Sequence, residues 1–245
     1  MKKEASAPTS GAQRAPKTTG AVPTGAMRHV ARSPSTAHRT IKTATKNPER
    51  VRARRETLIN AAIEVFCKKG FHQATVRDIG EVAGMTQGTI YNYVSSKDDI
   101  LYLALDRIVE EYHDQVALAM KSSADPIQRV RSAVRAVSEV MYRRKLEIKL
   151  IYQDSHLLDK QSRRILLARV EGFIQLFEKI LEDANRALGI RIQQPHVMAN
   201  ILTFLPVMLS LRDWSLKNEG TAQERIEAIA DFVIRGLGYP PLERS

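Results

Sequence analysis

Residues 75–97 of this chain, TVRDIGEVAGMTQGTIYNYVSSK, decide its fold. Thr75 and Asp78 have the spacing of a capping box, in which two side chains satisfy backbone N–H groups at the start of a helix. Apolar residues then recur at helical spacing until Gly84. A sharp turn at that point needs a positive φ, which glycine adopts without strain. The first part of the stretch therefore predicts a short helix that ends in a tight turn.

The second part of the stretch predicts two further helix starts. Thr86 can cap a helix over 87–93, and Ser96 can cap another that begins at Lys97. Two short helices joined by a tight turn form a helix-turn-helix, whose second helix enters the major groove of DNA. We therefore place the motif at 75–94 and expect the chain to bind double-stranded DNA.

Basic residues are concentrated at the N-terminus. The chain carries a formal charge of +11; residues 1–50 hold ten Lys or Arg against two Glu, and the other 195 residues hold 28 against 25 acidic residues. The N-terminal segment has few large apolar side chains, so it cannot bury enough surface to fold. We expect 1–50 to be a disordered basic tail. It is either a plain solvated segment or one that adds a salt-sensitive attraction to DNA phosphates.

The remaining sequence has helical periodicity and no convincing strand pattern. An apolar helix over 195–217 contains Pro206, which removes one N–H donor and predicts a kink. The expected fold is all-α, with about nine helices. Apolar stripes predict these helices from 48 to 70, and over 75–83, 87–93, 97–122, 126–141, 146–158, 159–188, 195–217 and 221–237.

Several classes of function lack the residues that they need. The single cysteine, Cys67, excludes an internal disulfide and a Cys-rich zinc site. There is no Ser/His/Asp set, no metal-ligand spacing and no phosphate loop, so we predict no enzyme activity, no metal and no cofactor. No apolar run reaches the roughly 18–20 residues of a membrane span, and the N-terminus lacks the apolar core of a secretion signal. We expect a cytoplasmic protein with no membrane partner.

Residues 52–105 resemble the TetR family of bacterial regulators. The resemblance rests on a Gly-rich turn, a Gly-Thr-aliphatic-Tyr core and a Ser-Lys helix start, which stand here as Gly84-Met85-Thr86-Gln87-Gly88-Thr89-Ile90-Tyr91-Asn92-Tyr93 and Ser96-Lys97. Membership implies a DNA-binding domain over 51–100 and an all-α ligand-binding and dimerisation domain over 101–245. It also implies a homodimer, most often a repressor, that leaves a palindromic operator when a small-molecule effector binds.

The predicted DNA contacts combine residue chemistry with the family's positions. Gln87 can form two hydrogen bonds with adenine, and Gly88 lets the backbone approach DNA closely. Helix N-termini attract phosphates, which adds residues of the preceding helix. The resemblance implies phosphate contacts for Tyr91, Tyr93 and Lys97. The full predicted set is Thr75, Arg77, Thr86, Gln87, Gly88, Thr89, Tyr91, Asn92, Tyr93 and Lys97. The expected core residues of the motif are Ile79, Val82, Ile90 and Val94.

The effector site is harder to predict. A kinked apolar helix can line a cavity, and arginines can meet an acidic, apolar-tailed ligand such as an acyl-coenzyme A. The predicted pocket residues are Tyr152, His156, Arg163, Phe173, Phe177, Phe204, Met208, Arg212 and Trp214. The same aromatic and Met stripes at helical spacing also fit an ordinary core, and the sequence leaves both interpretations open.

Two segments are candidates for a dimer interface. Helices 159–188 and 195–217 from each of two chains can form a four-helix bundle about a two-fold axis. Such a dimer places two recognition helices about one DNA turn apart, or a multiple of it. The alternative is a DNA-binding regulator without a small-molecule effector, controlled by a protein partner or acting architecturally. A cavity of a few hundred Å³ favours ligand control, and a solid core favours the alternative.

Overall fold

A computed structural model describes residues 39–44 and 47–240 of the chain. Within these ranges every regular element is helical and no strand occurs, which confirms the all-α prediction. The N-terminal helices are α1 (Pro48–Gln73), α2 (Val76–Ala83) and α3 (Gln87–Tyr91). The other helices are α4 (Lys97–Ala119), α5 (Pro126–Arg143), α6 (Lys145–Asp154), α7 (Lys160–Leu188), α8 (Pro195–Phe204), α9 (Met208–Leu211), α10 (Asp213–Leu216) and α11 (Ala222–Gly236).

Local capping sets the helix ends, as the sequence predicts for α2. The Thr75 hydroxyl accepts a hydrogen bond from the Asp78 N–H at 3.1 Å, and the Asp78 carboxylate accepts one from the Thr75 N–H at 2.9 Å. Gly84 adopts a left-handed conformation with φ of 63° and ends α2. Asp159 caps α7 by accepting from the Ser162 N–H at 3.0 Å. The ends of α2 and the start of α7 therefore follow from short stretches of sequence.

One hydrophobic core joins the described helices. Helix α4 is central, because it packs against α1, α5 and α7 and buries Tyr102, Leu105 and Val116. The predicted inward face of α5 is buried in full and consists of Val130, Val134, Val137 and Met141. The helix-turn-helix therefore shares its packing, through α4, with the rest of the described chain. No helix in the described ranges is both long and apolar enough to cross a membrane.

The sequence predicts a single kinked helix over 195–217, whereas the structure has several shorter helical elements there. Pro206 lies in a 3-10 turn, and the segment is divided into α8, α9 and α10. Proline removes a donor and collides with the preceding turn, so the chain tightens into the 3-10 turn while Leu205, Val207 and Met208 keep right-handed helical dihedral angles. The segment is also not buried on most sides, because Ile201 and Phe204 are exposed.

Two further predictions are wrong, one of packing and one of a helix end. Val82 is 47% exposed, although the sequence predicts a core position, and the apolar Phe232 of α11 is likewise 66% exposed. Helical spacing identifies an apolar side chain but not whether another element covers it. Helix α3 ends at Tyr91 and not at Tyr93, because the N–H groups of Asn92 and Tyr93 turn back to carbonyls three residues earlier.

Part of the predicted disordered tail is ordered. Ile41 is buried, the Arg39 guanidinium pairs with the carboxylate of Asp99 at 2.8 Å, and α1 already begins at Pro48. Composition missed this segment, because one buried isoleucine and one ion pair can hold a few residues that are otherwise polar. Residues 1–38, 45 and 46 of the predicted tail lie outside the described part of the chain.

Candidate nucleic-acid interface

Helix α3 presents a polar side to solvent. Gln87, Gly88, Tyr91 and Asn92 are exposed, and their spacing places them on one side of the helix. Ile90 lies away from that side and is fully buried, so it anchors α3 to the core. A short helix anchored on one side and polar on the other is the arrangement that a major-groove reader needs.

Several side chains that are predicted to contact DNA already make capping hydrogen bonds or ion pairs within the protein. The Thr86 hydroxyl accepts from the Thr89 N–H at 3.1 Å and lies 2.9 Å from the Thr89 hydroxyl. Thr75 is exposed but serves as the cap of α2. Arg77 is exposed and pairs with the Glu81 carboxylate at 3.1 Å, one turn along the same helix. DNA contacts by these side chains remain predictions that would add to their capping and pairing roles.

Of the predicted DNA contacts, Tyr93 is buried and Lys97 is half-buried. Tyr93 is only 4% exposed, because it follows Ile90 by three residues and packs on the same buried side. The Lys97 ammonium donates to the carbonyls of Phe71 and Ala74 at 2.8 and 3.0 Å and lies 4.3 Å from the centre of the Phe71 ring. An ammonium has three donors, so one remains for a phosphate. Lys97 therefore serves first to satisfy the free carbonyls at the C-terminal end of α1.

Gly80 sets the close approach of α2 to the turn, which the sequence analysis missed. Gly80 is buried, and a Cβ atom there would lie 2.5 Å from the Met85 carbonyl oxygen and 3.3 Å from Ile90 Cδ1. The Gly80 carbonyl also accepts from the Met85 N–H at 2.9 Å. The available signal was a glycine inside an amphipathic helix, which marks a packing contact more often than a break.

Replacing Gly80 by alanine should lower the free energy of unfolding by about 1–3 kcal/mol, since the added methyl group collides with a backbone carbonyl that cannot rotate away. Urea unfolding of the full chain measures the change. Gly236→Ala is the matched control, because a Cβ atom at that helical glycine meets nothing within 4 Å. Equal midpoints for G80A and the wild type would contradict the close approach.

A half-buried carboxylate with several hydrogen bonds also belongs to the helix-turn-helix region. Asp78 accepts from the Lys69 ammonium at 2.9 Å as well as from Thr75. These hydrogen bonds, with that from Lys69 the strongest, lower the pKa of Asp78 to about 2. Asp78 therefore stays ionised over the pH range in which α2 must hold its cap, and Lys69 links the last turns of α1 to the start of α2.

The predicted effector residues lie in several separate places. Phe173 and Phe177 are buried and form an aromatic cluster with Tyr112. The ring centre of Phe173 lies 4.6 Å from that of Tyr112 and 5.2 Å from that of Phe177. Tyr152 and Phe204 touch each other at 5.9 Å but are exposed. The remaining exposed members are His156, Arg163, Arg212 and Trp214.

Met208 is the predicted pocket residue that lines a groove between α9, α10 and α11. The groove has a volume of about 330 Å³, and its lining residues are Leu205, Met208, Leu209, Leu216, Arg225, Ala228, Ile229 and Phe232. Arg225 is its charged member, and its guanidinium donates to the carbonyls of Leu216 and Thr221 at 2.6 and 3.2 Å. The groove is thus apolar with one cation at its wall.

Two family models match the chain over most of the described helices. The model described as "Bacterial regulatory proteins, tetR family" matches residues 58–102, and that described as "Tetracyclin repressor-like, C-terminal domain" matches 123–237. The chain belongs to the TetR family. It is therefore a DNA-binding transcriptional regulator with an N-terminal helix-turn-helix and a C-terminal helical domain.

A curated relative and two solved structures are similar to this chain. The transcriptional activator FasR of Mycolicibacterium smegmatis is 28% identical over 195 residues, covering 78% of this chain and 86% of that protein. AibR, solved with isovaleryl coenzyme A and operator DNA, has a TM-score of 0.60 at 20% identity over 77% of this chain and all of AibR. FadR of Bacillus subtilis, solved with stearoyl-CoA, has a TM-score of 0.63 at 16% identity over 74% of this chain and 98% of FadR. The two structures show a shared fold.

A buried ion pair in this TetR-family regulator escaped the sequence analysis. Arg169 of α7 donates to the Asp106 carboxylate of α4, and only 10% and 9% of the two side chains are exposed. The available signal was Asp106 standing inside the apolar stripe of α4, where a buried carboxylate needs a partner. The pair joins α4, which follows the helix-turn-helix, to α7, the long helix of the C-terminal domain.

Proposed function

We propose that this protein is a homodimeric repressor that leaves a palindromic operator when an acidic, apolar-tailed small molecule binds. The observation that carries its DNA-reading role is the exposed polar side of α3, with Gln87 at its start and the buried Ile90 as its anchor. Because its target is chromosomal DNA, we place the protein in the cytoplasm. The predicted palindrome follows from two-fold symmetry of the dimer.

The proposed effector class is an acyl-coenzyme A. AibR and FadR, which share the fold, were each solved with an acyl-coenzyme A. The apolar groove of about 330 Å³ in this chain reaches the size of a small-molecule site, which supports ligand control over the alternative of a regulator without an effector. That alternative, with a protein partner as the input or an architectural role, is the second candidate.

We also propose that the protein has no catalytic activity. Burial raises the pKa of the Cys67 thiol to about 11, so little of the nucleophilic thiolate is present near neutral pH. Within residues 39–44 and 47–240, no three His, Cys, Asp or Glu side chains come together as a metal site.

Binding-site selection with the full chain on random duplex DNA tests the operator. We expect a palindromic site whose half-sites are separated by one helical turn or a multiple of it. Acyl-coenzyme A esters of increasing chain length are then added to the complex, with free coenzyme A as the control. Release by the esters alone supports the proposal. An operator complex that none of them changes would favour control by a protein partner.

A reporter assay decides the direction of regulation. The relative FasR is named an activator, so similarity to it does not indicate whether this protein represses or activates transcription. We expect transcription from a promoter that contains the selected site to fall when the protein is supplied and to recover with the effector. A rise in transcription would replace repression with activation and leave the DNA-binding role intact.

The proposed dimer interface is an exposed apolar face of α8. Val197, Ile201 and Phe204 are 44%, 48% and 58% exposed, and their spacing of four and three residues places them on one side of the helix. Leu167 of the neighbouring α7 is also exposed. Contiguous apolar surface of this kind marks a contact with another chain, which supports the predicted use of the segments 159–188 and 195–217.

Replacing Ile201 by aspartate should raise the dimer dissociation constant by about a hundredfold, since a charge would be buried without a partner in the bundle. Sedimentation of the full chain over a concentration series measures this change. Val82→Asp is the matched control, because Val82 is equally exposed but lies on α2. If I201D remains as dimeric as V82D, the interface lies elsewhere.

A further inference from the structure

Residues 39–44, here called the strap, close the end of the recognition helix α3. The Thr43 hydroxyl donates to the Asn92 carbonyl at 2.8 Å, and the Ala44 N–H donates to the same carbonyl at 2.9 Å. Asn92 is the residue at which α3 ends. The last carbonyls of a helix lack hydrogen-bond donors within the helix, so the strap supplies donors that α3 itself cannot.

Arg55 of α1 strengthens this closure. Its guanidinium donates to the Tyr93 carbonyl through Nε at 3.1 Å and Nη2 at 2.9 Å, and Nη2 also donates to the Ile41 carbonyl at 2.8 Å. Ile41 is itself buried. One arginine thus binds both the segment after α3 and the middle of the strap, and fixes the distance between them.

The other end of the strap is held by α4 and lies beside α7. The Arg39 N–H donates to the Tyr102 hydroxyl at 2.9 Å, and Arg39 Nη2 pairs with Asp99, which is buried. Arg39 Nη1 lies 3.7 Å from the carboxylate of Asp159, the cap of α7. Nη1 is buried and has no hydrogen-bond partner in the described part of the chain, and the nearby Asp159 carboxylate offsets part of the cost of burying its charge.

We propose that the strap positions the recognition helix for operator binding, and that Thr43 and Arg39 are positioning residues although both lie outside the helix-turn-helix. Helix α3 has five residues, too few to hold a fixed direction through its own hydrogen bonds. The strap restrains the end of α3 that lies opposite the turn, and its far end rests on helices that continue into the C-terminal domain. This inference rests on the proposed DNA-reading role.

Thr43→Val in the full chain tests the proposal, since valine keeps the shape and the charge but removes the donor. Thr40→Val is the matched control, because Thr40 is an exposed strap residue that makes none of these hydrogen bonds. The affinities for the selected operator and for an unrelated duplex of equal length are both measured. We expect T43V to bind the operator about five- to tenfold more weakly, with little change on the unrelated duplex.

The ratio of the two affinities separates positioning from stability. A variant that is merely less folded loses both affinities by the same factor, whereas a misplaced recognition helix loses the specific one. Deletion of residues 1–38 is the second control, because it removes basic residues and leaves the strap; it should lower both affinities and leave the ratio unchanged. A ratio for T43V equal to that of the wild type and T40V would overturn the proposal.

Amide hydrogen exchange without DNA gives a second measurement. We expect the amides of residues 92–95 to exchange about fivefold faster in T43V than in T40V, because the hold on the end of α3 is weakened. Unchanged exchange would also overturn the proposal. A wild-type protein that selects no DNA site would instead contradict the proposed function, and the two failures are therefore distinguishable.

Discussion

Replacing Arg169 by methionine lowers the free energy of unfolding by about 3–5 kcal/mol, the cost of removing one member of a buried ion pair. Asp106 and Arg169 are each about one-tenth exposed, so water cannot solvate the carboxylate once the guanidinium is gone. The pair joins α4 to α7, and its loss also loosens the packing between them. Urea or thermal unfolding of the full chain measures the change.

The double variant Asp106→Leu with Arg169→Met is the control for this effect. Replacing both members with apolar groups of similar size removes the buried charge as well as the attraction, so most of the lost stability should return. Arg186→Met is a matched surface control, because Arg186 is 77% exposed on the same helix. An R169M variant as stable as R186M would mean that the pair contributes little.

Replacing Gly88 by glutamate weakens operator binding by at least about a hundredfold, since juxtaposed like charges cost several kcal/mol. Gly88 lies on the exposed side of α3, where the backbone is expected to approach DNA. The free protein should fold normally, because the nearest atom to a Cβ at this position is the Thr86 hydroxyl oxygen at 4.0 Å. Electrophoretic mobility shifts on the selected operator measure the loss.

Gly236→Glu is the matched control for charge and side chain. Gly236 is another exposed helical glycine with open space at its Cβ position, and it lies at the end of α11. The two variants have the same net charge, so a difference between them reports the position of the carboxylate. Equal operator affinities for G88E and G236E would remove α3 from the DNA interface.

The helix-turn-helix was largely predictable because its helix ends are set by contacts between residues close together in the sequence. Thr75, Asp78 and Gly84 each act on backbone groups within a few residues, so their spacing states their role before any tertiary contact forms. The same holds for Asp159 at the start of α7. Family resemblance added positions but no geometry, which is why Tyr93 was expected at the surface and lies in the core.

Long-range contacts account for what the sequence missed. Arg39 becomes an ion-pair partner only because α4 passes beside it, sixty residues later, and Ile41 becomes a core residue only within the packed fold. The environment of Asp106 likewise depends on Arg169, a residue on another helix. Composition averages over a segment, so it predicts a disordered tail for the strap, although the fold holds the side chains of Arg39, Ile41 and Thr43.

The sequence by itself determined an all-helical chain, the helix-turn-helix and the polar side of α3, because capping and periodicity act over one or two turns. Only the tertiary structure decided which apolar side chains are covered. It buries Tyr93 and leaves Ile201, Phe204 and Phe232 exposed. It also distributes the predicted effector residues over core and surface. A helix's own pattern shows which side is apolar, but its neighbours decide whether that side meets the core, an effector or a second chain.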